Sequence, residues 1–104
     1  MDWIFLFIAG LFEVGFTTFL KLSDQFTKIF PTIGFLIFSM FSFYFLSLSI
    51  KTIPIGTSYA IWTGIGAFGT AVIGICIFGE PVTFLRLFFL TLLIVSLIGL
   101  KLVS

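Results

Sequence analysis

The sequence predicts an all-α membrane protein: four transmembrane helices in a single domain, residues 1–104. Three observations lead there. Hydrophobic residues make up 61% of the chain and charged residues 9%, against about 25% charged in soluble domains. The apolar residues come in long blocks, each near the roughly 20 residues that cross a bilayer. Four such blocks and three short turns use up all 104 residues, with none left for a soluble domain. Helices so few and short enclose no large site by themselves, so an oligomer is expected.

The first span is placed at 3–20, with Trp3 as an interfacial anchor and Glu13 as its single charge. Its leading residues include Asp2 where a secretory signal would have Lys or Arg, and no A-x-A-like site follows, so it is expected to be a retained helix. The most polar stretch of the chain, residues 21–28, follows it. The second span is placed at 32–50, with Pro31 suited to its first turn. Residues 51–56, with Pro54 and Gly56, punctuate the chain before a third span at 57–78. Gly79, Glu80 and Pro81 end that span, and a fourth follows at 84–103 with Lys101 near the interface.

Lysine and arginine are nearly balanced between the two ends. Lys51 and Lys101 fall on one side, and Lys21, Lys28 and Arg86 on the other. So weak a bias fits copies that insert both ways and pair as an antiparallel, dual-topology dimer. It equally fits one subunit of a heterodimer, or a weak single preference. The net charge of +1 offers no nucleic-acid footprint. The absence of histidine removes the commonest metal ligand and general base. No metal and no cofactor are expected, other than protons as a coupling ion. Cys76 is read as a small buried hydrophobe.

Glu13 is the centre of the chemistry. Ten residues past Trp3, at 1.5 Å per residue, it lies about 15 Å deep, near the middle of a hydrocarbon core about 30 Å thick. An ionised carboxylate there costs at least a few kcal/mol. Every other ionisable residue stands near a segment end, so no basic mate is available in the chain. Such a carboxylate is held either by a proton or by a cation, and the two compete. With alternating access, that competition yields antiport. Gly10 and Ala9, on the same face, admit a close helix neighbour. Thr17 lies one turn on, placed either to bond the carboxylate or to bond back to its own helix. Ser39 and Ser42 share a face of the second span and offer hydroxyl donors. Tyr59, Trp62, Thr63, Gly66 and Thr70 form a stripe on the third span. Its aromatic faces attract organic cations, although ordinary packing also uses such stripes. Residues 64–69 match G-x-G-x-x-G, but no strand precedes them and they lie in a span, so a dinucleotide site is discarded. Gly64, Gly66 and Gly69 are read as a hinge or a point of close packing. Ser96 and Gly99 mark the fourth span as a packing and dimer-contact helix.

These residues resemble the small multidrug resistance family of proton-coupled exporters. The resemblance rests on Glu13 in mid-helix, Phe26-Thr27-Lys28, Pro31, Ser42-Phe43-Tyr44, the long run from Pro54 to Gly66, and Glu80-Pro81. It implies an antiparallel dimer, homodimeric or heterodimeric, in the cell inner membrane. It also implies that Glu13 is the shared proton and substrate site, that Ser42, Tyr59 and Trp62 line it, and that the third-span glycines permit bending. Gly10, Ala60, Ala67 and Gly99-Leu100-Lys101 look like the subtype that exports guanidinium and guanidinyl compounds. Phe16 departs from that subtype, which usually has Trp there, and also from the multidrug subtype, which usually has Gly. Phe lacks an indole N–H, so Ser42 is expected to lose a donor and the polar network to loosen. Guanidinyl cations are the expected substrates, with hydrophobic or quaternary ammonium ions tolerated. The competing readings are a broad quaternary ammonium exporter, a non-transporting membrane subunit, an enzyme on lipid-linked substrates and a pore. A lone Glu without a nucleophile elbow argues against the enzyme, and scattered hydroxyls argue against the pore.

Overall fold

The computed structural model describes residues 2–103, and its regular elements are four α-helices: α1 (Asp2–Leu22), α2 (Ile29–Ser49), α3 (Ile55–Cys76) and α4 (Phe84–Val103). Each is long and apolar enough to cross a membrane. The last coincides with the span read from sequence. The other three differ by one to three residues at their ends, for local reasons. Lys21 and Leu22 are good helix formers and prolong α1. Helix α2 starts three residues before Thr32 because Pro31 fits inside its first turn, where a missing N–H leaves no bond unmade. Pro54 is the N-cap of α3, and its carbonyl accepts from the Ser58 N–H at 2.9 Å. At the other end of α3, the Gly74 carbonyl accepts from the N–H groups of Phe78 and Glu80. Gly79 then turns the chain with φ +68°.

The helices alternate in direction. Lys101 lies 4.9 Å from the Trp3 ring, and Thr52 hydrogen-bonds Asp2, so the ends of α1 and α4 share a side with the α2–α3 turn. Lys21 lies 5.4 Å from the Phe78 ring at the opposite end, beside the α1–α2 and α3–α4 turns. In space the backbones run α2–α1–α3–α4, and α4 approaches only α3. The result is a slab of 41 × 35 × 17 Å. Helix α4 has no buried residue, and Ser96 and Gly99 stand on its exposed surface. Cys76 is also exposed, on the last turn of α3. The expectation that it is buried is corrected, because an apolar run in a membrane helix faces lipid as readily as core.

Glycines set opposite bulky side chains build the seams. Phe38 of α2 fills the space over Gly15 of α1, and Phe19 of α1 lies 2.9 Å from where a side chain on Gly34 of α2 would begin. Phe12 stacks on Phe41 and Phe45 across the same seam. Between α3 and α4, Leu97 occupies the space over Gly64. Lipid tails are as apolar as leucine, so close van der Waals fit, not hydrophobicity, joins helices here.

The α1–α2 turn is strained. Asp24, Gln25 and Phe26 have φ of 49°, 61° and 65° in succession, a left-handed conformation that costs an L-residue about 1–2 kcal/mol. Fully buried Ser23 holds it. Its hydroxyl donates to the Leu20 carbonyl at 2.7 Å and accepts from the Phe26 N–H at 3.2 Å, while its carbonyl accepts from Thr27 and Lys28. Gln25→Gly, which removes the Cβ at the middle position, is expected to stabilise the protein by roughly 1 kcal/mol. A thermal melt in detergent checks this, and a lowered midpoint contradicts it.

Candidate functional site

Helices α1 and α3 run in the same direction and meet in one register. Glu13 faces Gly66, and one turn further Thr17 faces Thr70 with a sequence offset of 53. One turn before Glu13, Ala9 stands at the level of Trp62 with the same offset. The two are bridged by Ser42 of α2, whose hydroxyl donates to the Ala9 carbonyl at 2.7 Å and accepts from the Trp62 indole Nε1 at 2.9 Å. Periods of three and four residues put these positions on one face of each helix.

The Glu13 carboxylate lies against the backbone of Gly66. A Cβ at residue 66 would overlap its oxygen, so glycine there is a condition for the carboxylate's position. Oxygen Oε1 is buried and makes no hydrogen bond. Among the described residues the ion pair is Arg86 with Glu80, in and just after the α3–α4 turn, and Glu13 takes no part in it. Lys21, Lys28, Lys51, Arg86 and Lys101 lie at helix ends or in turns. A half-buried acid with one enclosed oxygen that lacks a donor is suited to exchanging partners, because a proton or a cation gains what the protein leaves unmade.

The remaining residues singled out from sequence divide. Gly10 belongs to the α1–α3 seam: a side chain there would begin 2.5 Å from Ile65 Cγ2. Ser42 and Trp62 are buried beside it. Tyr59 is 57% exposed, with its ring centroid 5.7 Å from that of Trp62. Phe16 packs edge-on to Phe35 at 5.7 Å and stacks on Phe43 at 6.4 Å, and Phe43 lies 5.4 Å from Trp62. These contacts make an aromatic wall from Phe35 to Tyr59. Ser39 donates to the Leu36 carbonyl, and Thr63 to those of Tyr59 and Ala60, so both turn back onto their own helices, as hydroxyls in helices often do. Gly64, Gly66 and Gly69 are all points of close packing, against Leu97, Glu13 and Val14, and α3 is unbroken through them.

Phe16 gives Ser42 no donor, but the Trp62 indole does, so the serine keeps a hydrogen bond to its oxygen. Ser42 does not bond the carboxylate, because its single proton goes to the Ala9 carbonyl. Sequence reasoning noted Thr70 on the stripe of α3 but gave it no place in the site, and its shared offset with Glu13–Gly66 was the available signal. An open groove of about 430 Å³ runs beside the α1–α3 seam towards α4, lined by apolar residues such as Phe7, Val14, Phe68 and Ile94. It offers nothing to hold a charge.

A family model described as "Small Multidrug Resistance protein" matches residues 1–93. Curated relatives include a protein named "Guanidinium exporter" from Proteus vulgaris, 46% identical over 104 residues and covering all of both chains. Another of that name, from Yersinia pseudotuberculosis serotype I, is 45% identical over the same length, again covering both fully. A third, from Salmonella typhimurium, is 46% identical over 102 residues, 98% of this chain and 97% of the relative.

The geometry separates two glycines. Gly66→Ala is expected to lower stability by less than about 1 kcal/mol, because the atoms in the way are the free end of the Glu13 side chain, which swings aside. Gly10→Ala is expected to cost about 1–3 kcal/mol, because the Ile65 atoms in the way include its Cβ, fixed to the backbone. Paired thermal melts decide, and equal losses contradict this reading.

Proposed function

The chain belongs to the small multidrug resistance family, and we propose that it exports guanidinium and related small organic cations across the membrane in exchange for protons. One observation carries the reading: a mid-membrane carboxylate, Glu13, with a buried oxygen that has no donor. The names of the relatives support the substrate.

The exchange follows from what a single carboxylate can hold. Protonated, Glu13 is neutral and tolerable in hydrocarbon. Ionised, it needs a cation within a few ångströms, because an isolated charge there is costly. Proton and substrate therefore exclude one another, and a site that faces each side of the membrane in turn couples their opposite fluxes. A planar guanidinium suits the oxygen that lacks a donor, since its N–H fork matches a carboxylate. The aromatic wall of Phe43, Trp62 and Tyr59 offers ring faces to a positive charge and an apolar surface to hydrophobic substituents. Quaternary ammonium ions, which have no N–H, are therefore tolerated as secondary substrates.

A slab 17 Å thick leaves this site uncovered on one side. We infer that a second copy covers it, antiparallel to the first, with the outer face of α4 in the contact between them. The nearly even Lys/Arg distribution supports both insertions.

The test is transport by purified protein on solid-supported membranes, with guanidinium and with a quaternary ammonium ion under opposing proton gradients. Wild type is expected to give substrate-dependent currents with both, larger for guanidinium, and Glu13→Gln none. Proton-driven exchange that persists in Glu13→Gln contradicts the reading.

A further inference from the structure

The Glu13–Gly66 contact is bracketed. On the side of the α2–α3 turn, Ser42 ties Ala9 to Trp62. On the other side, Thr17 and Thr70 stand with their hydroxyl oxygens 2.7 Å apart. Thr17 Oγ1 also lies 3.0 Å from the Val14 carbonyl of its own helix. A carbonyl only accepts, and a hydroxyl has one proton to give. The Val14 carbonyl also accepts from the Thr18 hydroxyl at 2.8 Å; with the Thr17 proton shared onto that carbonyl, Thr70 is the donor between the helices, and the bond joins them whichever hydroxyl gives. Thr17 alone would be an ordinary back-bonded threonine. It is Thr70 that turns the pair into a clamp.

We infer that Thr70 is a positioning residue for Glu13: its hydroxyl pins α1 to α3 one turn beyond Gly66 and so holds the carboxylate against the glycine. Two features single out this bond. It lies in the same register as the contact it supports, with an equal step of four residues on both helices. The neighbouring α1–α3 contact, Val14 against Gly69, is apolar and gives no direction. With the clamp open, the seam separates on the side of the α1–α2 and α3–α4 turns, and Glu13 no longer has a fixed place. The effect on transport rests on the exporter reading, whereas the effect on the Gly66 contact does not.

The test compares Thr70→Val, which keeps the shape and loses the proton, with Thr70→Ser, which keeps the hydroxyl. Ser47→Ala on the exposed face of α2, where the hydroxyl serves only the Tyr44 carbonyl, is the control. The Gly66 amide resonance in bicelles reports the carboxylate directly, and guanidinium transport reports KM and kcat. Thr70→Val is expected to shift the Gly66 resonance and raise KM about five-fold, the worth of one hydrogen bond, with kcat within about two-fold. Thr70→Ser restores both, and Ser47→Ala changes neither. Thr17→Val is expected to match Thr70→Val, and the double variant to be no worse than either, because one bond is lost in all three. An unmoved Gly66 resonance, no rescue by serine, or full additivity overturns the inference. A wild type that moves no cation overturns the exporter reading instead, and the Gly66 resonance then judges the clamp alone.

Discussion

A carboxylate occupies the space that any side chain at residue 66 would fill, and the candidate site is arranged around that contact. In lipid no water dilutes the cost of an acid, so its surroundings must be specified by packing and by a small number of hydrogen bonds. Gly66 lets α3 come close enough to enclose one oxygen of the acid. Gly10 and Gly69, one turn to either side on the two helices, keep the seam equally tight. The pairing places α1 in the middle of the row, with α2 on one flank and α3 on the other. Helix α4 is left outside, held by the fit of Leu97 over Gly64.

The polar groups are used sparingly. Most hydroxyls within the helices bond back to a carbonyl one turn earlier, as Ser39, Ser47, Ser49, Thr63 and Thr91 do. Ser58, buried near the start of α3, makes no bond at all, and the bonds that join one helix to another gather around Glu13. Ser42, Trp62, Thr17 and Thr70 form bonds between helices, and all lie within one turn of it along the seam. Each of these bonds meets a need of the protein's own and stops short of the acid. Glu13 Oε1 is thereby reserved for something that arrives from outside.

Most of the architecture was legible because the bilayer imposes it. Spans of about 20 apolar residues, Pro31 and Pro54 at helix starts and Gly79 at a turn leave little choice. The depth of Glu13 and its lack of a basic mate could be counted from residue positions alone. Partner choice was less legible. Ser42 can give to or take from many groups by type, and only the crossing of α1, α2 and α3 decides that Trp62 gives to it and Ala9 takes from it. The three successive left-handed residues, Asp24 to Phe26, break the usual preference for glycine in that conformation. Nothing in their identities announces it, because buried Ser23 supplies the bonds that hold them. The role of Thr70 depends on the register of α1 against α3, a property of two helices together that neither periodicity reveals.

The most direct measurement is solid-state NMR of the protein in lipid bilayers, with the Glu13 side chain and Gly66 selectively labelled with carbon-13. The account expects a short-range through-space correlation between Glu13 Cδ and Gly66 Cα, and none between Glu13 Cδ and any lysine or arginine side chain. A missing Gly66 correlation, or a strong one to a lysine Cε or an arginine Cζ, would contradict it.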